Sequence, residues 1–540
     1  MTSLPYSAIG ASPFAIEFAQ DSPRVMPFFN NAANRAALAD VRCRQGASRS
    51  RLVDLARQSM GLLPLSSAIE ENLQALSSTK SVVAITGQQV GFMGGPLYTV
   101  LKIASTVAAA QELSHGLGRA VVPMFWLEDN DHDAAEAGTA ALPDASGTAV
   151  EARLWNGDAA RLAVHRRTIT GEDVQRVHQA TGVLYGQEAQ AAAQRVHSAY
   201  AEGSTWSDAM MAMLHPYLQH WGVIAVRGSH VISSGMHAPI VMAECNHPGR
   251  MAALVAERNT LLEGRGYKPQ ASVGHYSFFV EVNGLRHRPV AEGNAVRVGQ
   301  ETWTLDALQN FVATHPHLCS PGVLLRPIIQ DALFPTIVNI VGGAEAAYHA
   351  QIGECYSAAG VAQPLTWMRH SATIVDHRTE RLMTKSGLTV QDVIRPMANI
   401  ERDIIAATSA NVIPDVSQSP LSVAWREAAI SIDPTLGGAV AAAEAAIGKA
   451  LEQLAGKMRS ALKRKSGEAL DRVRTVAGTI YPLETLQERV TPMAWFEARL
   501  GIDTFRKIAE AITAKPRASH QVMYVVDVDS VTESNNNRTT

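Results

Sequence analysis

The chain has 540 residues, 46% of them apolar and 18% charged, with a formal net charge of -3 at pH 7. That length allows two or three domains around a large core, and the near-neutral balance gives no electrostatic case for a nucleic acid or a membrane as partner. Cys43, Cys245, Cys319 and Cys355 are far apart, with no CxxC pair, and the N-terminal stretch lacks the basic start and apolar core of a signal peptide; this argues against a disulfide framework, a cysteine zinc cluster or export, and it fits a reducing cytoplasm.

Residues 1–80 read as mostly helical, with Pro27-Phe28-Phe29 as a packing anchor and apolar residues at helical spacing from Leu52 to Leu76. The run Val82-Val83-Ala84-Ile85 then reads as a buried strand of a parallel sheet. It breaks at Thr86-Gly87-Gln88-Gln89, and a loop with Gly91, Gly94, Gly95 and Pro96 leads into a helical pattern from Leu97 to Leu113. Unpaired N–H groups and the helix dipole behind a glycine loop suit a phosphate or a carboxylate. The loop is neither a Walker A sequence nor a GxGxxG fingerprint. A glycine turn that only packs the helix on the sheet is the competing reading. Lys102 lies within the helix and reaches the loop only if its stem folds back.

Ala120 to Trp126 is a second apolar strand, which completes a βαβ unit. Ligands of such sheets sit at the carboxyl ends of the strands, so the loop at Gly87 should lie beside the loop after Trp126. That second loop, Glu128-Asp129-Asn130-Asp131-His132-Asp133, concentrates four carboxylates and an imidazole. Three readings stay open: a divalent metal site, acid/base work by His132 held by a neighbouring carboxylate, and a solvated acidic turn.

Residues 140–200 read as an insertion, with a β-like part from Ala149 to Val164 and one Ala/Gln-rich helix from Val174 to Tyr200. A helix from Trp206 and a strand at Gly222 to Val226 follow; His230 and His237 read as structural. Tyr276 to Val282 and Leu285 to Pro289 form a hairpin pattern around Asn283-Gly284. Val323 to Pro327 reads as a strand ending in the charge of Arg326, with Gln330 and Asp331 on a turn or short helix after it. Ile337 to Val341 is another buried strand, ended by Gly342-Gly343. Glu345, Tyr348 and Gln351 follow at i, i+3 spacings that put them on one helix face. Arg369 suits a carboxylate or phosphate. Leu382 to Ser386 lies in an amphipathic helical pattern with no HIGH-type partner upstream, so it is not read as a synthetase KMSKS loop.

From Leu388 the pattern is helical. Ile447, Leu451, Leu454, Met458 and Ala461 follow the 4-3-4-3 spacing of a coiled-coil seam, and the basic run Arg459 to Lys465 reads as a solvated face. Gln487-Glu488-Arg489-Val490 precedes an apolar helix at Met493 to Leu500. A last strand spans Gln521 to Val526, and the tail from Ser530 is expected to be disordered.

Several of these blocks resemble one family. TGQQVGFMGGPLYTVLK is similar to the signature of the bacillithiol biosynthesis family BshC, a family of cysteine ligases. VPMFWLEDNDHD, SPGVLLRPIIQD, GGAEAAYHAQ, RHSATI and YPLETLQERV resemble further family blocks in the same order. Two positions depart from the pattern. Asn130 stands where the family's EDHD block has Glu, and Arg369 follows Met368 where the family tends to have Pro.

The resemblance implies an α/β fold: a Rossmann-like parallel-sheet core with inserted connecting segments and a C-terminal helical coiled-coil domain that dimerises the protein. The expected division is an N-terminal helical part of the core (1–80), the first half of the core (81–140), an insertion (141–205), the second half (206–387), the coiled-coil domain (388–485), a return to the core (486–529) and the tail (530–540). The implied reaction joins L-cysteine to glucosaminyl-malate: the glucosamine amine attacks the cysteine carboxyl. A carboxylate is a poor acylating agent, so activation is expected, as an adenylate, with ATP or ADP as cofactor and Mg²⁺ beside it; no structural metal is expected. In this picture Thr86, Gly87, Gly91, Gly94, Gly95, Thr99 and Lys102 hold the nucleotide. Gln88, Gln89, Tyr98, Trp126, Arg326, Gln330, Asp331, Glu345, Tyr348, Gln351 and Arg369 line the substrate pocket, with Asp331 or Glu345 on the cysteine ammonium. His132, with Asp131 and Asp133, orients the ligand or moves a proton. The alternatives are a catalytically silent nucleotide-binding protein that acts with a partner, and a metal-dependent hydrolase built on the DNDHD loop.

Overall fold

A computed structural model describes every residue except 31–33, 62, 156, 158–161, 411–419, 466, 516–521 and 528–540. The tail from Ser530 and the start of the last strand at Gln521 therefore lie outside the described residues.

The core is a five-stranded, all-parallel sheet. From one edge to the other the strands are Leu365–Met368, Thr336–Val341, Val82–Gln89, Val121–Glu128 and Ile224–Arg227. Each is built mostly of apolar residues because helices cover both faces, and Val82, Val83, Ala84 and Ile85 are fully buried. The helix Leu97–Leu117 packs against Val82–Gln89 and Val121–Glu128, completing the expected βαβ unit. The first three strands in sequence run outward in one direction. The fourth, Thr336–Val341, returns to the other side of Val82–Gln89. The strand order thus reverses between these two neighbours, and a crevice opens there at their carboxyl ends.

Three local expectations are corrected. Val323 to Pro327 is not a strand: 323–325 form a turn, and the helix Arg326–Leu333 begins at the charge. Proline suits the first turn of a helix, which explains why Pro327 is tolerated there. The single helix expected from Val174 to Tyr200 is two, Gly171–Thr181 and Ala189–Ala199, parted at Gly182 and Gly186. The β-like part of the insertion is a hairpin of Thr139–Pro143 with Ala149–Arg153. The N-terminal part, helical otherwise, opens with a strand, Thr2–Pro5. That strand pairs antiparallel with Val522–Asp527, which in turn runs parallel to Ser371–Val375.

The Asn283-Gly284 hairpin forms as read, between Phe278–Val282 and Leu285–His287, with positive φ at both turn residues. In the C-terminal helical region, Gly437–Lys465 spans 29 residues and packs on Met397–Ala410 and Pro420–Ile432. Two residues of the predicted seam, Ile447 and Leu454, face outward.

The segment after Val82–Gln89 shows what the glycines do. Gly94 has φ +89°, and a Cβ there would run into the Met493 side chain. Gly118, at φ +61°, has open space around it. Gly118→Ala is therefore expected to cost only the left-handed backbone term, about 1–2 kcal/mol. Gly94→Ala adds a steric clash in the core and is expected to cost more, which urea denaturation of the two variants will show.

Candidate functional site

The crevice at the strand reversal holds a cavity of about 490 Å³. Its floor is the end of Val82–Gln89 (Gly87, Gln88, Gln89) and the turn and helix start after Thr336–Val341 (Gly342 to Glu345, with Tyr348). One wall carries Glu128, Asp131 and Glu136; another carries Phe279, Arg286 and Arg288 from the hairpin; Tyr98, Lys102, Arg326, Arg369 and Arg489 complete it. Six cationic side chains thus face four carboxylates across one polar space.

Lys102 does fold back. Its Nζ lies 2.6 Å from Glu345 Oε2 and donates to Gly87 O and Gln88 Oε1 at 2.9 Å each. Burial pulls the Lys102 pKa down, and Glu345 opposes this. Burial alone would raise the Glu345 carboxyl, but Lys102 and the Gly342 N–H bring it below its ordinary value. Glu345 caps its own helix by accepting from Gly342 N at 2.8 Å, so the helix N-terminus is already matched with an anion. Tyr348, one turn on, meets both Arg326 and Glu345, and burial raises its phenol pKa.

Arg326 enters the cavity over the Trp126 ring, 5.8 Å from its centroid, and its Nη1 donates to Gln330 Oε1 at 2.8 Å. An added Cβ on Gly87 would lie 3.3 Å from that Nη1, so this glycine permits the approach. Arg369 makes a two-pronged bond to Glu488 and stands over Tyr98, whose hydroxyl accepts from Gln88 Nε2 at 3.1 Å. The Tyr98 phenol is pushed up to about 12, mainly by burial.

On the other wall, Phe279 is a platform for two guanidinium groups: Arg286 at 4.3 Å and Arg288 at 5.1 Å from its centroid. Arg286 Nη1 lies 3.3 Å from His132 Nδ1 and 3.5 Å from Asp131 Oδ1. Asp131 also accepts from Gln89 Nε2 and from the His132 backbone N–H. Burial works to raise the Asp131 carboxyl, but His132, Arg286 and Gln89 outweigh it and hold the group well below its ordinary 3.8. The sign of the pH effect follows: the stability gained from ionised Asp131 is complete above pH 3.8 and is lost as pH falls towards the folded-state value. Asp131→Asn is expected to flatten the acid limb of stability against pH, measured as urea midpoints.

The predicted residues divide clearly. Gly87, Gln88, Gln89, Tyr98, Lys102, Asp131, Arg326, Glu345, Tyr348 and Arg369 line one cavity. Gly91, Gly94 and Gly95 do not; they are packed against Met210, Met213 and Met493, so this stretch is a packing turn and not a ligand cradle. Thr86 donates to Ile340 O and ties two strands together, and Thr99 is buried below Gly95. Trp126 is buried beneath the floor, donating to Glu128 Oε2 at 3.0 Å. Asp331 is sealed in a network with Gln330, Asn339 and Tyr356, at 2.6–2.9 Å. Gln351 pins the 270–271 backbone and Asn259. Asp133 caps the short helix Ala134–Ala137, and His132 stands beside the cavity wall as a neighbour of Asp131 and Arg286.

Sequence reasoning missed Glu136, Arg286, Arg288, Phe279 and Arg489. Among the described residues, no group of three or more His, Cys, Asp or Glu side chains is arranged to hold a metal ion. In the acidic loop Asp129 is instead taken up by the N–H and hydroxyl of Ser229, at 2.7 Å each. The cation set does fit an anionic group, a carboxylate or a phosphate.

Comparison with known proteins agrees with this architecture. Residues 1–370 match the family model described as the N-terminal Rossmann-like domain of bacillithiol biosynthesis BshC, and residues 372–525 match the C-terminal coiled-coil domain of the same family. A protein of Salinibacter ruber is 26% identical, over 96% of this chain and 98% of its own length. Relatives from Solibacter usitatus (28% identical, 84% and 86% covered) and Geobacillus kaustophilus (26%, 88% and 90%) share its name, "Putative cysteine ligase BshC". Both halves of the chain, the Rossmann-like core that builds the cavity and the helical region that follows it, thus belong to the bacillithiol biosynthesis BshC family.

Proposed function

We propose that this chain joins L-cysteine to glucosaminyl-malate by forming an amide, in the cytoplasm, at the cavity of the strand reversal. The observation that carries the reading is the opposition of cations and carboxylates across that one cavity. Malate brings two carboxylates, and Arg286, Arg288 and Arg489 are the cations of the hairpin and C-terminal walls that would hold them. The attacking amine must first lose a proton. Glu136 lines the cavity from an exposed position, and partial desolvation at the cavity mouth together with the neighbouring charges of Asp133 and Asp131 raises its carboxyl. A carboxylate of raised pKa is a better proton acceptor than an ordinary one, so Glu136 takes the role expected of His132, which instead positions Asp131 and Arg286.

The cysteine carboxyl needs activation, and a bound nucleotide would supply it. Lys102, Arg326 and Arg369 are the residues that would hold its phosphates, on the floor side of the cavity. The outward seam of Gly437–Lys465, with Ile447 and Leu454, supports pairing with a second copy of the chain.

The test is mass spectrometry of the purified protein with glucosaminyl-malate, cysteine and ATP-Mg²⁺. A product of the mass of the cysteine amide, formed only with ATP, is the expected result. No product, with ATP binding still seen by calorimetry, would favour the silent nucleotide-binding alternative.

A further inference from the structure

Of the four carboxylates that face the cavity, three are already engaged. Asp131 is held by Arg286, by Gln89 and by the His132 N–H. Glu345 is paired with Lys102 at 2.6 Å. Glu136 stands at the exposed mouth, in the role of base. The fourth is Glu128, at the carboxyl end of the strand Val121–Glu128. It is half-buried, and its carboxylate accepts from neutral donors: Trp126 Nε1 on Oε2 at 3.0 Å and Asn130 N on Oε1 at 3.1 Å. Among the described residues it forms no ion pair, and Arg326 and Arg286 act on it only through space.

A carboxylate offers about four lone-pair directions, so roughly half of its accepting capacity is left for a ligand. Desolvation in the cavity raises the Glu128 carboxyl above its ordinary 4.5, and Arg326 and the Trp126 N–H oppose this without cancelling it. A cation brought to the group removes that penalty. Asn130 keeps the place single. Its side chain and that of Glu128 both lie against Gly228, where an added Cβ would meet Asn130 Nδ2 at 2.6 Å and Glu128 Oε2 at 3.3 Å. A second carboxylate at position 130 would repel the first; an amide does not.

The reaction brings a cation that needs such a place. Cysteine carries its ammonium one carbon from the carboxyl to be activated, so the two must be held side by side. Glu128 lies in the field of Arg326, on the side proposed for phosphates, and of Arg286, on the side proposed for malate. Asp331 is sealed in its network and Glu345 is neutralised by Lys102, so neither is open to that ammonium. We propose that Glu128 seats the α-ammonium of the amino-acid substrate. An ammonium fixed in this way has no lone pair for attack. Cysteine is then the acyl donor only, while the sugar amine gives its proton to Glu136. The inference rests on the proposed function for the identity of the amino acid.

The test compares L-cysteine with 3-mercaptopropionate, which is cysteine without its amine, in saturation-transfer NMR titrations of the full chain. The unaltered chain is expected to prefer L-cysteine by about tenfold to a hundredfold, the range of one charge-assisted hydrogen bond. Glu128→Gln keeps the shape and is expected to abolish that preference; 3-mercaptopropionate, bound as before, shows that the cavity is intact. Glu128→Asp withdraws the charge by one methylene and is expected to lower the preference partway. The seat is overturned if the unaltered chain binds the two thiols alike or does not bind L-cysteine, or if either variant keeps the full preference. The proposed function is decided separately, by the cysteine amide formed with ATP-Mg²⁺. Product from a chain without the preference removes the role of Glu128 alone. A preference that vanishes in Glu128→Gln, with no product from the unaltered chain, removes the ligase reading alone.

Discussion

Replacing Glu488 by alanine is expected to cost about 3–5 kcal/mol of folding stability, the range for removing one partner of a buried ion pair. Glu488 is 2% exposed. It accepts from Arg369 Nη1 and Nη2 at 3.0 and 2.7 Å, from Ser371 Oγ at 2.7 Å and from Ala372 N at 3.1 Å. Burial acts to raise its carboxyl, yet Arg369 and these donors hold it below the ordinary 4.5. Without Glu488 the guanidinium stays buried at the cavity wall with no anion. The pair also ties the Gln487–Val490 turn to the chain between Leu365–Met368 and Ser371–Val375, so two remote parts of the sequence loosen together. The urea midpoint of the core measures the cost. The double variant Arg369→Met, Glu488→Leu is expected to recover part of it, because no uncompensated charge is then left inside. Equal losses in single and double variants would show that packing, not charge, sets the effect.

Glu136→Gln is expected to lower turnover by about 10²- to 10⁴-fold, the span for loss of a positioned general base. Glutamine keeps the shape and cannot take the proton. The sign of the pH profile is fixed by the raised pKa. With Glu136 the rate falls on the acid side as the carboxylate is protonated, at a pH above the ordinary 4.5. In the glutamine variant that limb disappears while KM for cysteine stays near its original value. His132→Ala, acting through Asp131 and Arg286, is expected to raise KM more than it lowers kcat. If the two variants change the profile in the same way, Glu136 is not the base.

The core strands were legible because burial on both faces leaves a mostly apolar run, unbroken at Val82 to Ile85 and interrupted only by Asn339 in Ile337 to Val341. The hairpin at Asn283-Gly284 was legible for a different reason: the turn demands positive φ at both positions, and few residue pairs accept it. Val323 to Arg326 deceived by the same rule that served elsewhere. A short apolar run does not distinguish a strand from a buried turn and helix start, and Pro327 was the available signal. Gly91 to Gly95 looked like a ligand loop because close approach of a methionine and close approach of a phosphate both call for glycine. The largest omission, Arg286 and Arg288, lies about 150 residues from Asp131 and His132 in sequence. Nothing local marks an arginine on a hairpin as part of a distant site; only the fold brings it there.

The small sheet that joins Thr2–Pro5, Val522–Asp527 and Ser371–Val375 sets a timetable for synthesis. The middle strand of the three is the last to be made, and the first strand is the earliest. At 5–20 residues per second, Thr2–Pro5 waits roughly half a minute to two minutes for its partner to leave the ribosome. During that wait residues 2–5, joined by residues 371–375 once these are made, offer unpaired strand edges to the surroundings. The helical region from Leu388 onward is rich in local contacts, so it can form within the growing chain. The sheet, which depends on the most distant contacts in the molecule, closes last. Nascent chains stalled before residue 522 should therefore be the species that chaperones hold.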